Sequence, residues 1–465
     1  MTDAARRTRF ALAAALAVLL AAAAALATLA AAAAVAAGFV AKNVCSGVFV
    51  SGRPLADIVA SDLGRYENRL LDAVAAEIDL ARGRATASLG PLARRTAVHR
   101  PGLGCALAIG THVDALTAPA SPPRPAAHRV AALEWPDGEH VRADADAGVA
   151  ARLAALLDEA FAEPQTARRQ TRAVVIVHRG RIAAERYAPG YGPDTPLPGW
   201  SLAKSVLGAL VGVLVAEGRL ALDAPAPVAG WDAPGDPRRA ITLRHLLNMS
   251  SGLAFSEDYA NPVADVGVML FAAPAAGRYA ADKPLAARPG GRWAYSSGTS
   301  NIVAGALRGL FDTEAAYLAF PREALFGPLG MRSAVLETDA AGRFVASSFM
   351  LASARDWARF GLLYARDGRW EGRRILPAGW VRFSAAPAPA DGERRYGAHW
   401  WLRLRGTGLR PRLPADVMHA AGHGGQFVTV VPSRDLVVVR LGFNLDRRAW
   451  DQEAFVARVL QALGA

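Results

Sequence analysis

The tetrapeptide Ser201-Leu202-Ala203-Lys204 stands where a loop rich in glycine and proline gives way to a long apolar segment. This segment predicts a buried helix over residues 201–217, because it is apolar on nearly every face and Gly218 follows it. Residues three apart share one face of a helix, so the lysine amine can reach the serine hydroxyl. Burial lowers the pKa of a lysine readily, whereas arginine stays charged. The pattern therefore indicates a serine nucleophile beside a lysine that can exchange its proton.

The composition of the chain makes this lysine informative. Of the 53 basic residues among 465, only Lys42, Lys204 and Lys283 are lysines. The formal net charge of +12 would suit a nucleic-acid partner, but the arginines are scattered and form no focused basic run, so we expect none. With 52% hydrophobic and 20% charged residues, the chain can bury a large core, which excludes a disordered protein.

The first 42 residues are predicted to be a membrane anchor or a signal segment. Residues 10–41 are almost entirely apolar, and a helix of that length exceeds the roughly 30 Å hydrocarbon layer. Several arginines precede the segment and only Lys42 follows it closely, so the positive-inside rule exports the rest of the chain. We expect a single-pass protein of the cytoplasmic membrane with its catalytic domain on the periplasmic side. Small residues at 31–38 also allow the alternative, secretion after cleavage.

The exported part divides into two predicted regions. Residues 43–128 form a small region that ends in a proline-rich linker, and residues 129–465 form one large mixed domain. Within the small region, residues 55–80 are predicted to be helical. Cys45 and Cys105 also lie there, and an oxidising compartment would let them pair in a disulfide. Two separate buried thiols are the alternative.

The large region predicts a sheet assembled from both of its ends. Two apolar runs within residues 173–187 surround a glycine turn, and two more within residues 427–441 surround a Pro-Ser-Arg-Asp turn. Both patterns are typical of β-hairpins, and helical segments at 149–162 and 450–463 flank them. We therefore expect a mixed α/β fold, with a central antiparallel sheet flanked by helices from both chain ends and an inserted all-helical lobe.

Two further motifs offer partners for Ser201. Tyr295-Ser296-Ser297 follows a glycine-rich turn, and a tyrosine near a lysine cation can ionise more easily and act as a general base. Gly422-His423-Gly424-Gly425-Gln426 leads into a predicted strand, and glycines at a strand edge let a backbone amide approach an oxyanion. A core tyrosine in a tight turn is the alternative interpretation of the first motif.

In this order and at this spacing, the three motifs resemble those of the serine β-lactamase and penicillin-binding-protein superfamily, in its class C branch. The resemblance covers roughly residues 150–463. It implies a β-lactamase-like fold, an acyl-enzyme on Ser201, and catalytic roles for Lys204 and Tyr295. It also implies a set of groups that bind the oxyanion or the substrate, namely Gly422, His423, Gly424, Ser297 and Tyr259.

The sequence departs from the superfamily's usual pattern in two motifs. It contains no Lys-Thr-Gly, and its second motif ends in Ser297 rather than asparagine. Both differences argue against β-lactams and D-alanyl-D-alanine peptides as substrates. The stretches 256–259 and 422–426 look more like 6-aminohexanoate-dimer hydrolases and esterase-like members, in which Tyr259 would correspond to a tyrosine that contacts substrate. In this interpretation His423 contributes only its backbone.

Together these features predict an exported, membrane-anchored serine hydrolase that cleaves an ester or amide bond in a small or peptide-like substrate. We expect no metal and no cofactor, and the sequence predicts no particular oligomeric state. Either Lys204 or Tyr295 can be the base, because coupled groups titrate together. The alternatives are a β-lactamase or D-Ala-D-Ala carboxypeptidase, and an acylated sensor or scaffold that does not turn over.

Overall fold

The computed structural model describes residues 3–66, 68–116, 132–142, 146–164, 168–404 and 413–464. The predicted proline-rich linker and the boundary at residue 128 lie outside these ranges. The α-helices in the described ranges are α1 Asp3–Cys45, α2 Leu55–Ile58, α3 Arg69–Asp72, α4 Ala147–Phe161, α5 Leu202–Ala216, α6 Leu243–Leu247, α7 Asp265–Phe271, α8 Ala276–Ala281, α9 Ser297–Leu307, α10 Glu314–Pro321, α11 Ala354–Ala365, α12 Trp380–Ser384 and α13 Gln452–Leu463. The strands are β1 Ala75–Asp79, β2 Arg84–Leu89, β3 Ala93–Arg100, β4 Gly104–Leu107, β5 Thr171–His178, β6 Arg181–Tyr187, β7 Leu197–Pro198, β8 Val335–Leu336, β9 Met350–Ala352, β10 Arg369–Trp370, β11 Arg373–Arg374, β12 Met418–Gly422, β13 Gln426–Val431 and β14 Leu436–Gly442.

The central sheet has five antiparallel strands in the order β12-β13-β14-β5-β6. The two predicted hairpins are present, and the last strand of the chain pairs with the first strand of the large region through β14 and β5. Helices α4 and α13 pack together on one face, over Val174 and Ile176, and α11 covers the opposite face. This arrangement confirms the predicted mixed α/β architecture, in which both chain ends complete an antiparallel sheet.

Between β6 and β12 most of the regular structure is helical, from α5 to α12. Short strands are interspersed there, forming a three-stranded sheet of order β7-β9-β8 and a small β10–β11 ladder. The predicted all-helical lobe therefore stays a prediction.

A second sheet, of order β1-β2-β3-β4, forms within the small N-terminal region and packs against α1. Its strand β4 carries Cys105, which is joined by a disulfide to Cys45 at the end of α1. The predicted helix over residues 55–80 is present in its first part only. Residues 55–66 form consecutive α, π and 3-10 turns and α3 follows Asn68, but residues 75–79 pair with β2 as strand β1.

Helix α1 runs without a break from Asp3 to Cys45. Its residues 12–30 are exposed, whereas residues 31–45 are mostly buried against the small sheet and α7. Gly38 permits this close approach, because a Cβ there would lie 2.1 Å from the carbonyl oxygen of Phe271. Among the described helices, this is the one long and apolar enough to cross a membrane. It continues past the predicted domain boundary at residue 42.

A buried polar cluster fixes the end of α1 to the large domain. The Glu337 side chain is 1% exposed and forms an ion pair with Lys42. Its Oε1 atom also accepts hydrogen bonds from Ser46 Oγ at 2.8 Å and from the backbone N–H of Cys105 at 2.7 Å. A buried carboxylate is stable only when it is paired and hydrogen-bonded, so this cluster defines how α1 and β4 sit on the domain.

We predict that Lys42→Met lowers the free energy of unfolding by about 3–5 kcal/mol, because it leaves the Glu337 carboxylate buried without its counter-ion. The double variant Lys42→Met/Glu337→Gln should recover most of this loss. Urea unfolding of the detergent-solubilised protein measures both effects. As a control, Arg278→Met breaks the exposed pair with Asp282 and should change stability by less than about 1 kcal/mol. Simple additivity of the two substitutions would contradict the prediction.

Candidate active site

Ser201 caps α5 at the end of a tightly held loop. Trp200 before it has a φ of +49°, a left-handed conformation that is strained for a residue with a side chain. The backbone N–H of Gly199 donates to the carbonyl oxygen of Met350 at 2.8 Å. A Cβ on Gly199 would lie 2.4 Å from the Trp357 ring, so only glycine fits between them. Packing thus holds the strained turn that presents the serine side chain.

Lys204 lies one turn further along α5 and is 1% exposed. Its Nζ donates to Ser201 Oγ at 2.9 Å, to Ser297 Oγ at 3.1 Å and to the carbonyl oxygen of Ser347 at 2.9 Å. Burial lowers the pKa of Lys204 to about 8, while the nearby Glu257 acts in the opposite direction. An amine with this pKa can lose its proton near neutral pH, which arginine at the same position could not do.

Tyr295 packs beside this amine, with the Lys204 Nζ 4.9 Å from the centroid of its ring. The ring also stacks on Trp401, with 5.3 Å between centroids. Burial raises the pKa of Tyr295, Glu257 adds to the increase, and a side-chain hydrogen bond with Ser201 opposes it. The easier ionisation expected from the sequence is therefore not what this environment favours, because loss of solvent and the charge of Glu257 outweigh the hydrogen bond with Ser201.

Glu257 belongs to the same cluster and was not among the predicted site residues. Its Oε1 accepts hydrogen bonds from Ser297 Oγ at 2.5 Å and from the Tyr259 hydroxyl at 2.6 Å, and its Oε2 accepts one from the Ser297 backbone N–H at 2.8 Å. Because Ser297 also contacts Lys204, this carboxylate is one hydrogen bond removed from the amine. Its only sequence signal was its place two residues before Tyr259.

The glycine-rich turn between β12 and β13 lies next to the start of α5. A Cβ on Gly422 would lie 2.1 Å from the carbonyl oxygen of Gly199, and Gly424 has a φ of +72°. The turn places His423 beside Trp200, with 5.6 Å between ring centroids. The structure thus brings the predicted glycine turn and the predicted nucleophile together.

The ring of His423 makes contacts that the sequence did not suggest. It stacks on Tyr66 with ring planes 6° apart, and its Nε2 is 3.0 Å from the Tyr66 hydroxyl. On another side it stacks on Tyr259, which is 56% exposed, with 6.1 Å between centroids. Tyr66 belongs to the small N-terminal region, which therefore reaches the edge of the site.

A sheet closed by both chain ends, with a serine–lysine pair at the start of a buried helix, defines the serine β-lactamase and penicillin-binding-protein-like superfamily. This chain belongs to the Beta-lactamase family, whose profile matches residues 153–453. It is 26% identical over 322 residues to a 6-aminohexanoate-dimer hydrolase from Paenarthrobacter ureafaciens, covering 63% of this chain and 79% of that protein. It is 34% identical over 170 residues to Esterase EstB from Burkholderia gladioli, covering 32% of this chain and 43% of the esterase.

Solved structures share the fold. A provisionally named 6-aminohexanoate-dimer hydrolase from Bacillus anthracis superposes with a TM-score of 0.53 at 24% identity, covering 67% of this chain and 80% of that one. A penicillin-binding-protein homologue from Caulobacter crescentus gives a TM-score of 0.50 at 16% identity, covering 70% of this chain and 98% of that one. The predicted β-lactamase-like fold is confirmed. Helix α1 and the small sheet precede the part of the chain that the family profile matches.

We predict that Tyr66→Phe lowers kcat for a chromogenic ester by about tenfold, the equivalent of one lost hydrogen bond, with KM changed less than about twofold. The phenylalanine ring keeps the stack on His423 but removes the hydrogen bond with its Nε2 atom, which loosens the glycine turn. Tyr279→Phe is the matched control. It removes a hydrogen bond to Asp265, 2.7 Å long, outside the site and should leave kcat unchanged. Wild-type kcat in Tyr66→Phe would contradict the prediction.

Proposed function

We propose that this protein is an exported, membrane-anchored serine hydrolase that cleaves an ester or amide bond through an acyl-enzyme on Ser201. The observation that carries the proposal is the 2.9 Å hydrogen bond from a buried lysine amine to the serine hydroxyl. The lowered pKa of Lys204, about 8, supports it, because a neutral amine can take the serine proton. Relatives named as a 6-aminohexanoate-dimer hydrolase and an esterase support the substrate class.

In the acylation step, neutral Lys204 accepts the Ser201 proton while Oγ forms a bond to the substrate carbonyl carbon. The carbonyl oxygen becomes an oxyanion, which accepts hydrogen bonds from the backbone N–H groups of Ser201 and His423. As the tetrahedral intermediate collapses, the bond to the alcohol or amine breaks, and the leaving group takes the proton from the Lys204 ammonium. The acyl group then remains on Ser201 as an ester.

Deacylation repeats these events with water as the nucleophile. Lys204 accepts a proton from water as its oxygen attacks the acyl carbon, and Ser201 takes that proton back as the acid departs. We assign the base role to Lys204 rather than Tyr295, because burial lowers the pKa of the amine and raises that of the phenol. Tyr295 then acts as a hydrogen-bond donor to the reacting oxygens.

The remaining residues of the site have supporting roles in this proposal. Glu257 holds Ser297, so that the Ser297 hydroxyl stays an acceptor for the Lys204 amine. Tyr259 is exposed at the edge of the site and can contact the substrate. Gly422 and Gly424 shape the turn that presents the His423 amide.

The membrane anchor in this proposal is the exposed part of α1. Residues 12–30 form 19 residues of exposed apolar helix, about 29 Å long, which matches a hydrocarbon layer of about 30 Å. Residues 31–45 pack within the fold, so cleavage at 31–38 would remove a packed part of the helix. This favours a retained anchor over a cleaved signal. The Cys45–Cys105 disulfide supports an oxidising compartment for the catalytic domain.

Two substitutions test the nucleophile and the base. Ser201→Ala should abolish covalent labelling by a fluorophosphonate and lower turnover of a p-nitrophenyl ester by at least about 10³-fold. Lys204→Arg should lower turnover by a similar factor, because arginine keeps the charge but cannot release its proton near neutral pH. The same change at Lys283, which pairs with Asp265 outside the site, is the matched control and should be silent.

Pre-steady-state kinetics separate a turning-over enzyme from a stalled, acylated sensor. The proposal expects a burst of p-nitrophenol followed by continued release. A burst with no later turnover would favour the sensor, and full activity in Lys204→Arg would refute the base assignment.

The pH dependence of kcat/KM tests the link between Glu257 and Lys204. Activity should rise with pH through about 8 as the Lys204 ammonium loses its proton. The negative charge of Glu257 raises the pKa of Lys204, so Glu257→Gln destabilises the ammonium and should move this limb to lower pH. Rates between pH 6 and 10 measure the shift, with the exposed Glu323→Gln as control. An unmoved limb, or one moved to higher pH, would contradict the assignment.

A further inference from the structure

Helix α1 connects the exposed apolar segment directly to the active site. Its exposed part ends at Ala30. Nine residues later, the Phe39 ring stacks on Trp200, the residue before Ser201, with 6.4 Å between centroids and planes 14° apart. The nucleophile therefore lies beside a helix whose other end has the length and composition of a membrane span.

The helix rise per residue gives the distance of Ser201 from the boundary of the hydrocarbon layer. Nine residues at 1.5 Å each place Phe39 about 14 Å beyond Ala30 along the axis. With the contact to Trp200, Ser201 then lies on the order of 15–20 Å from the plane where the hydrocarbon ends. The headgroup region adds only about 5–7 Å on each side of the hydrocarbon. The site is therefore above the headgroups but within reach of a long polar headgroup.

The structure fixes the distance between Ser201 and the boundary of the hydrocarbon layer. Helix α1 has no break between Ala30 and Cys45, so the exposed segment cannot swivel against the packed one. The buried pair of Lys42 with Glu337 and the disulfide at Cys45 attach the helix end to the rest of the fold. A soluble substrate would require no fixed height, and a flexible tether would serve it equally well.

Other surface elements lie at the level where the exposed segment ends. Strand β3 packs through its first residue, Ala93, on Ala33 of α1, and the preceding Leu92 in the β2–β3 turn is 49% exposed. On another side of α1, Val35 contacts the start of α7, since a Cβ on Gly267 would lie 3.5 Å from Val35 Cγ1. The exposed residues 258–262 directly precede this helix and include Tyr259, which stacks on His423 in the site. The exposed edge of the site thus lies toward the membrane end of the molecule.

We propose that the substrate is an amphiphile held in the same membrane, with its ester or amide bond in an extended polar headgroup about 15 Å above the hydrocarbon. This inference rests on the proposed hydrolase function and on the anchor. Esters at the hydrocarbon boundary lie too low to reach Ser201. An ester or amide bond in a long headgroup can reach Ser201 by lateral diffusion of the lipid, which does not have to leave the membrane.

A set of lipid-anchored probes tests this height. The full-length protein is reconstituted in phosphatidylcholine vesicles that contain a dialkyl lipid joined to a fluorogenic ester through zero, two, five or eight prolines, at about 3.1 Å per proline. The five-proline probe should react at least about tenfold faster than the probe without a spacer, because it spans about 15 Å. The same ester without an anchor, added outside, reports the active copies that face outward.

A variant of the helix moves the expected optimum. Seven helix-forming polar residues inserted between Ala30 and Ala31 add about two turns, which keeps the helix face and raises the site by about 10 Å. The preferred spacer should then lengthen by about three prolines. If the soluble ester is hydrolysed but neither protein distinguishes the spacers, the membrane-substrate inference is wrong and the hydrolase proposal stands. If the soluble ester is not hydrolysed either, the proposed function itself fails, and the inference with it.

Discussion

The lysine amine buried at the start of α5 is the constraint on which the rest of the site depends. An ammonium in the interior is costly unless each of its protons meets an acceptor, and Lys204 meets three oxygens, from Ser201, Ser297 and Ser347. Each of these oxygens comes from a different part of the chain, so the amine can be accommodated only once α5, α9 and the segment before β9 have assembled. The same burial lowers the pKa of Lys204. The loss of solvent around this amine therefore both requires the surrounding oxygens to be in place and makes the amine reactive.

The N-terminal region adds a second layer of constraint to this family fold. Tyr66 contacts the ring of His423, and Phe39 contacts Trp200, so two aromatic side chains from outside the family-matched range pack against residues of the site. Asp62 ties the same region to the central sheet by pairing with Arg172 at the start of β5. Helix α1, the small sheet and the β-lactamase-like domain therefore pack together as one body.

Much of this could be predicted from local patterns in the sequence. The serine–lysine spacing, the two hairpins and the apolar N-terminal run all lie within short windows where helix or strand periodicity decides the outcome. The contacts that were missed join distant residues: Glu257 meets Ser297 across 40 positions, and Tyr66 meets His423 across 357. No local pattern marks such pairs, because only the tertiary fold brings them together. The error over residues 75–79, which were predicted to be helical, has the same cause, since β1 becomes a strand by pairing with β2.

The pairing of Lys42 with Glu337 across 295 positions has a consequence for how this chain matures. A polypeptide leaves the ribosome from its N-terminal end, so residues 31–45 emerge long before the carboxylate that will receive the lysine. During that interval the helix has no tertiary partner and must be stable by itself. Alanine has the highest intrinsic helix propensity of any residue, and it is the commonest residue of this segment. The alanine-rich composition of α1 thus favours a helix that stays formed before its tertiary contacts are made.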